Sequence, residues 1–364
     1  MHRREWLVVP SAQPATVPFP AVLNDAGPDP ALSLSRIEVF VPNVSRVYSY
    51  EHLTERDLIP PTSPRVFFEP ADTEIGVWVA RDLITDGCSV LDLGSGSGAA
   101  AAAMARAGAG RVHGVDAGAE TIAWATEHYA SREADSRVTF AQADFVRLSA
   151  NDLLATAPLP LPRPLVVTSN PPYVPLAAQA GALRHSISGG TDGLRLAPAI
   201  IGHASALCCD LGLTIGSYSS PSKAVRLLES AGYWIHAVTL CPLPLGEFTL
   251  RNMAQTLALE ERGEAVLWKT TRDTPSYFIV GLACRWMDMA GRTARSTQGS
   301  DGVRPSERLT GEGLLHLLQT AARSHTVELE ALDGLSGLAG LSSDGWSGPL
   351  RILVLPGATA RHHW

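Results

Sequence analysis

Along the middle of the chain, apolar positions switch repeatedly between two spacings. Short apolar or alternating runs at Ser89 to Leu93, Arg111 to Val115, Val138 to Gln142, Leu165 to Ser169, Gly212 to Ser217 and Tyr233 to Leu240 predict strands. Helical spacing follows four of them, at Ala99 to Ala107, Ala119 to Ala130, Ala197 to Cys208 and Lys223 to Ala231. Strands alternating with helices of this length predict an α/β fold whose mostly parallel sheet is covered on both faces. Ahead of this block, Ile75, Val77, Trp78, Val79, Leu83 and Ile84 predict a helix that stops at Asp86-Gly87, with Asp72 or Thr73 as its N-cap.

The flanks read differently. Pro10, Pro14, Pro18, Pro20, Pro28 and Pro30 remove backbone donors and block helix, which predicts an extended or poorly ordered arm over the first 35 residues or so. Ile37, Val39 and Val41 predict a strand within Arg36 to Val47, and Tyr48 to Leu58 a short helix ended by Pro60-Pro61. After Cys241 the pattern loosens through Pro242-Leu243-Pro244-Leu245-Gly246, resumes as a helical patch from Thr249 to Glu261, and gives a hairpin-like pair at Glu264 to Lys269 and Ser276 to Arg285. Only an antiparallel partner can be joined by a short turn, so the last strand of the sheet is expected antiparallel. Gly291 to Glu312 has no apolar periodicity and reads as a linker. Beyond it, Leu314 to Ala322 predicts a helix and Leu350 to Leu355 a strand, a tail too small to hold its own core. The expected division is an arm with a small strand and helix segment (1–60), a main domain (61–290), a linker (291–313) and a C-terminal extension (314–364).

Composition narrows the class. With 364 residues and 45% of them hydrophobic, the chain has ample material for a buried core. No apolar run approaches a bilayer span, and Trp6 to Val9 is too short for a secretory signal, so a cytoplasmic protein is expected. A formal charge of -7 argues against a protein that holds long stretches of nucleic acid. Cys88, Cys208, Cys209, Cys241 and Cys284 lack metal-ligand spacing and are expected to be small core residues. The terminal His362-His363-Trp364 and the linker arginines Arg292, Arg295, Arg304 and Arg308 are expected to be solvated rather than ligating.

Two stretches carry chemistry. Val90-Leu91-Asp92-Leu93-Gly94-Ser95-Gly96-Ser97-Gly98 ends a strand in a glycine-rich turn, where backbone can approach a ligand and the following helix offers amide donors. A dinucleotide loop would need a glycine where Ala99 stands. Asp92 would repel a pyrophosphate but suits a cationic amino group, Asp116 at the end of the next strand suits the two hydroxyls of a ribose, and Asp144 after the third suits an adenine amine. An ammonium, a ribose and an adenine without phosphate describe S-adenosylmethionine. The second stretch, Asn170-Pro171-Pro172-Tyr173, follows the strand Leu165 to Ser169. The side-chain oxygen of Asn170 and the carbonyl of Pro171 can accept both hydrogens of a planar amino or amide group, with Tyr173 offering a flat face to it.

From Val66 to Arg285 the chain resembles the class I S-adenosylmethionine-dependent methyltransferases, which implies a Rossmann-like fold with a mostly parallel sheet and an antiparallel last strand. Asn170-Pro171-Pro172-Tyr173 is similar to the signature of enzymes that methylate glutamine side chains, adenine or guanine. Ser188-Gly189-Gly190-Thr191-Asp192-Gly193-Leu194 resembles a segment of the HemK/PrmC-type glutamine methyltransferases. Glu69-Pro70-Ala71-Asp72-Thr73 resembles the stretch that closes over the methionine end of the cofactor, in the form seen in eukaryotic and archaeal relatives, with Thr73 as the contact. The resemblance implies catalysis by Asn170, Pro171, Pro172 and Tyr173, and cofactor binding by Thr73, Asp92, Gly94, Gly96, Gly98, Asp116, Asp144 and Asn170. The helical N-terminal domain of the bacterial enzymes has no counterpart, and Pro242 to Arg272 and the tail after Gly291 are foreign to the pattern. The expected acceptor is a protein glutamine or a related peptide or small-molecule amine. A nucleic-acid adenine or guanine and a non-catalytic binding partner stand as alternatives.

Overall fold

Strands buried on both faces anchor the molecule. The computed structural model describes residues 44–130, 137–269, 275–287, 308–327, 346 and 348–355. The proline-rich arm, most of the linker with Arg292, Arg295 and Arg304, and the terminal histidines lie outside these residues. β1 (Val44–Val47) is followed by a single turn of 3-10 helix, Glu55–Leu58, and then by α1 (Pro70–Arg81). The alternation expected from the sequence comes next: β2 (Ser89–Leu93), α2 (Ala99–Arg106), β3 (Arg111–Asp116), α3 (Ala119–Ala125) running into one π turn, β4 (Val138–Gln142), α4 (Ala150–Ala155) and β5 (Leu165–Ser169). α5 (Ala178–Leu183), α6 (Ala197–Ala206), β6 (Asp210–Gly216), α7 (Pro221–Ser230), β7 (Tyr233–Pro244), α8 (Glu247–Arg251) and α9 (Ala254–Glu261) follow. The described chain closes with β8 (Trp268–Lys269), β9 (Pro275–Trp286), α10 (Gly311–Val327) and β10 (Leu350–Leu353).

The sheet runs β1-β10-β7-β9-β6-β5-β2-β3-β4, with β8 against β9. β9 is antiparallel to both β6 and β7, and the remaining pairs along this path are parallel. This is the Rossmann-like arrangement, with its antiparallel last strand, that the sequence implied. Every residue of β2 and β5 is buried, as a central strand covered by helices on both faces requires. From β2 the chain steps outward to β3 and β4, whereas β5 and β6 lie on the other side, so the order reverses between β2 and β5. A crevice opens at the carboxyl ends of strands at such a point. Among the described residues, no helix is long and apolar enough to cross a membrane.

Three expectations are corrected. α1 begins at Pro70 with Glu69 as N-cap, not with Asp72 or Thr73, and it ends at Arg81 rather than running to Asp86. Proline is favoured at a first helical position, where no donor is needed, and this places Asp72 inside the first turn. The Tyr48 to Leu58 stretch forms only the 3-10 turn, because the Glu74 carboxylate accepts from the backbone N–H groups of Glu51, His52 and Leu53 at 3.0–3.3 Å and holds them outside a helix. The chain does not loosen at Cys241, since β7 continues against β9 as far as Pro244↔Ser276. Pro242 and Pro244 share the parity of Val238, whose N–H donates toward the β10 flank at Pro349. Their missing donors therefore fall on that flank, past Leu240, the last residue paired with β10, where no ladder bond is lost. Of the five cysteines four are buried, and Cys208 is exposed at a turn with φ of 50°.

The C-terminal segments join the main structure. β10 inserts between β7 and β1, while Leu314, Leu317 and Leu318 of α10 enter the same core as Leu228 of α7. Arg351 of β10 makes two bonds of 3.1 Å to Asp82, one of 3.0 Å to Thr239, and stacks 4.1 Å over the Trp78 ring. With the two charged side chains only 12% and 16% exposed, removing one leaves the other buried without its counter-charge. Arg351→Ala is therefore expected to lower unfolding stability by about 2–4 kcal/mol, read from the urea midpoint at unchanged slope.

Candidate functional site

The turns after β2 and β5 meet in the crevice between those strands, and hydrogen bonds fix their ends. Ser169 Oγ donates to the Leu93 carbonyl at 2.6 Å, and Gly94 N–H donates to the Val115 carbonyl at 2.8 Å. Two adjoining cavities result, a smaller and a larger, both lined by Phe67, Asp72, Gly94, Gly96 and Asn170. The smaller adds Thr73, Asp92, Ser95 and Thr168, and the larger adds Asp116, Phe145, Pro171, Pro172, Tyr173 and His185. Asn170 and Asp72 thus stand at the junction.

Asp92 sits in the floor of the smaller cavity. The parallel register pairs it with Thr168, whose hydroxyl donates to Oδ1 at 2.9 Å, while Oδ2 is buried without a hydrogen-bond partner. Burial raises its pKa to about 6, reinforced by the nearby Asp116 carboxylate and opposed by the Thr168 bond. A half-satisfied buried carboxylate is costly unless a donor or a cation meets its free oxygen. Asp116, in the larger cavity, accepts from Gly96 N–H at 3.2 Å and Gly118 N–H at 2.8 Å; burial raises its pKa against those two bonds. Thr73 donates its hydroxyl to the Glu69 carbonyl at 3.0 Å in the first turn of α1 and lines the smaller cavity.

The structure does not bring Gly98 and Asp144 into either lining. Gly98 caps α2 at φ of 85°, and a side chain there would come within 2.8 Å of Phe140 and 2.9 Å of Ala125. It seats the helix against β4. Asp144 accepts from Val146 N–H at 3.1 Å and pairs with Arg147 at 3.1 Å, holding the turn after β4, while its neighbour Phe145 lines the larger cavity.

At the clamp, Asn170 Oδ1 is buried and accepts no bond. Asp72, at the same junction, accepts from the Tyr173 hydroxyl at 2.6 Å, and burial together with the neighbouring Glu69 carboxylate raises its pKa to about 8. Tyr173 is thus turned inward, 5% exposed and 6.2 Å from Tyr218, and it lines the larger cavity. Sequence reasoning missed Asp72 as part of this site. Its reading as a candidate N-cap of α1 hid it, and the available signal was its position beside Thr73.

The segment from Ser188 to Leu194 braces the clamp from behind. Gly189 N–H donates to the Val174 carbonyl at 2.9 Å, Leu176 N–H to the Gly190 carbonyl at 2.8 Å, and Ser219 Oγ to the Tyr173 carbonyl at 2.6 Å. Asp192 accepts from Leu194 N–H and pairs with Lys223 at 2.5 Å. Gly193 has φ of 78°, and a Cβ there would lie 2.4 Å from Ser219 and 2.6 Å from the Tyr173 carbonyl. Gly193→Ala is expected to destabilise the fold by about 1–3 kcal/mol and to shift the clamp, checked by thermal unfolding and by the cavity's affinity for S-adenosylhomocysteine, which changes less.

Residues 90–156 match the family model of a methyltransferase domain. Asp92, Gly94, Gly96, Gly98, Asp116 and Asp144 all fall in that methyltransferase segment; Thr73 and the clamp lie outside it. S-adenosylmethionine, the cofactor expected from the sequence, is the one this match supports, and the residues present fit it through the unsatisfied Asp92 oxygen and the paired Asp116. No curated protein matches the chain in sequence. Among solved structures it is similar to the ribosomal protein L11 methylase of Lactobacillus delbrueckii subsp. bulgaricus, with 16% identity, 67% of this chain and 95% of that one covered, and a TM-score of 0.35. It is similar also to precorrin-6y C5,15-methyltransferase of Geobacter metallireducens GS-15 (14% identity, 64% and 97% covered, TM-score 0.36). A third is magnesium protoporphyrin IX methyltransferase of Synechocystis PCC 6803 with bound SAM (18% identity, 63% and 88% covered, TM-score 0.32).

Proposed function

We propose that the chain is an S-adenosylmethionine-dependent N-methyltransferase of the HemK/PrmC type, acting in the cytoplasm on a planar amide or amine nitrogen, with a glutamine side chain as the preferred acceptor. The observation that carries this reading is the buried, unpartnered Asn170 Oδ1 at the junction of the two cavities. A buried acceptor of this kind is costly unless something donates to it, and an N–H of the acceptor group is the donor that fits. The brace formed by Gly189 to Leu194 supports the glutamine assignment, because it supports the same tetrapeptide that the family resemblance singles out.

In this reading Asp92 holds the cofactor ammonium, Asp116 its ribose, and Thr73, Gly94 and Gly96 line its path. Bound there, the cofactor supplies an electrophilic methyl group on sulfur. Asn170 Oδ1 accepts one hydrogen of the acceptor nitrogen and so sets the direction of its lone pair. It also stabilises the positive charge that grows on that nitrogen. Residues 61–290 form the catalytic domain, and the extension from 314 widens its sheet.

The test is methyl transfer from radiolabelled S-adenosylmethionine into a cell extract, and in parallel into glutamine-bearing peptides, with mass spectrometry of the labelled product. A methylated glutamine nitrogen supports the reading. Label on carbon or oxygen, or only in nucleic acid, overturns it.

A further inference from the structure

Ser217 to Ser220, the turn between β6 and α7, is buried throughout, with Ser217, Tyr218 and Ser219 fully enclosed. Hydroxyls in and just after it reach three separate parts of the chain. Ser217 Oγ donates to the Val266 carbonyl at 2.7 Å and accepts from Phe278 N–H at 3.0 Å, which ties the turn to β9 and to the insertion after β7. Ser222, in the first turn of α7, donates to the Gly311 carbonyl at 2.8 Å, at the start of α10. Between these two anchors, Ser219 Oγ donates to the Tyr173 carbonyl at 2.6 Å. The two regions foreign to the family pattern thus hold the turn, and the turn holds the clamp.

We propose that Ser219 is the positioning residue of the clamp, and that the insertion and the C-terminal extension serve the reaction by fixing the turn that carries it. This rests on the reading of Asn170 as the group that receives the acceptor nitrogen. Pro171 and Pro172 have no N–H, so the clamp cannot donate bonds of its own to its neighbours just past Asn170. The bond from Ser219 is received directly after them. Room for it is left by two glycines: a Cβ at Gly193 would lie 2.4 Å from the Ser219 side chain, and one at Gly216 2.8 Å from its hydroxyl. Ser220 has φ of 48°, a conformation that a residue with a side chain keeps only where its surroundings over-determine it. Ser219 itself lines neither cavity, so its effect on transfer passes through the backbone of Tyr173 to Asn170. With Ser219 enclosed, solvent is not at hand to replace its bond.

A tyrosine followed by a valine occurs once in the sequence, at Tyr173-Val174. The full chain carrying ¹³C-carbonyl tyrosine and ¹⁵N-valine therefore gives a single correlated carbonyl–amide signal, which reads the Tyr173 carbonyl directly. In Ser219→Ala that carbonyl should move upfield, the direction of a lost hydrogen bond. On whatever acceptor the parent chain labels, kcat should fall by about 10–100-fold, the cost of a small misplacement at a reacting centre. KM, and affinity for S-adenosylhomocysteine by calorimetry, should change by less than about threefold, since Asp92 and Asp116 are untouched. Ser222→Ala, which frees only the Gly311 side, should move the same signal less and lower kcat by a smaller factor. A Tyr173 signal that stays in place in folded Ser219→Ala, or that moves with kcat unchanged, overturns the proposal. So does a loss of cofactor affinity as large as the loss of rate, and an unmoved signal in Ser222→Ala overturns the part given to the extension. If Ser219→Ala does not fold, Ser219→Cys, which keeps a weak donor, makes the same comparison. Failure of the methyltransferase reading itself shows separately, as absent binding of S-adenosylhomocysteine by the parent chain, and leaves the carbonyl signal readable.

Discussion

Replacing Asn170 by alanine should leave a folded protein that still binds S-adenosylhomocysteine but transfers methyl groups about 10²–10³-fold more slowly, the usual loss on removing one preorganised polar group from a reacting centre. The side-chain oxygen is buried without a partner before any acceptor arrives. Its interaction with the nitrogen strengthens as positive charge develops there, so the loss should fall on kcat rather than on cofactor affinity. Single-turnover transfer measured beside calorimetry separates the two. A loss of cofactor affinity as large as the loss of rate would show instead that Asn170 serves mainly the cofactor, whose cavity it also lines.

The second large effect is a pH dependence of cofactor affinity governed by Asp92. In the empty site its pKa is raised to about 6 by burial and by Asp116. The charged form binds the ammonium, so affinity should be near its maximum above pH 7 and fall by up to about tenfold per pH unit below 6. Asp92→Asn should remove this slope and weaken binding at pH 7.5 by about 10–100-fold, as for a lost charge-assisted bond. The stability of the empty protein should move the opposite way. A carboxylate whose pKa is raised on folding contributes stability that is fully present below its unfolded value, near 4, and is lost as pH rises through 6. Above that pH the empty Asp92→Asn protein should therefore melt higher than the parent, and the order should reverse when saturating S-adenosylhomocysteine is added. Calorimetric titrations from pH 5 to 8, paired with melts of both proteins, check the two signs together. Equal slopes in parent and variant would remove Asp92 from the cation site.

The fold was legible wherever a segment had its own periodicity. Strands such as Ser89–Leu93 and Leu165–Ser169 matched the sequence expectation residue for residue, because a buried central strand needs a mostly apolar run bounded by turns. The reading went astray where a distant group decided the local structure. Glu74 claims three backbone donors some twenty residues earlier, and the β10 flank sets where Pro242 and Pro244 can be tolerated inside β7. The site shows the same division. Asp92, Asp116 and Asn170 announced themselves by standing at strand ends beside glycines or prolines. Asp144 also stands just past a strand end, yet its carboxylate is spent on the turn it occupies and on Arg147.

What the sequence alone determined was the alternation of strand and helix, the antiparallel last strand, the two strand-end motifs and the chemistry of a phosphate-free, cationic cofactor. These are local patterns, each carried by a few adjacent residues whose spacing is itself the signal. The tertiary structure alone decided which way the tyrosine of the clamp faces. That depends on Asp72, roughly a hundred residues before Tyr173 in the chain, accepting its hydroxyl across a fully buried contact. The direction of a polar side chain is set by its partners, and partners brought together by folding leave no periodic trace in a sequence.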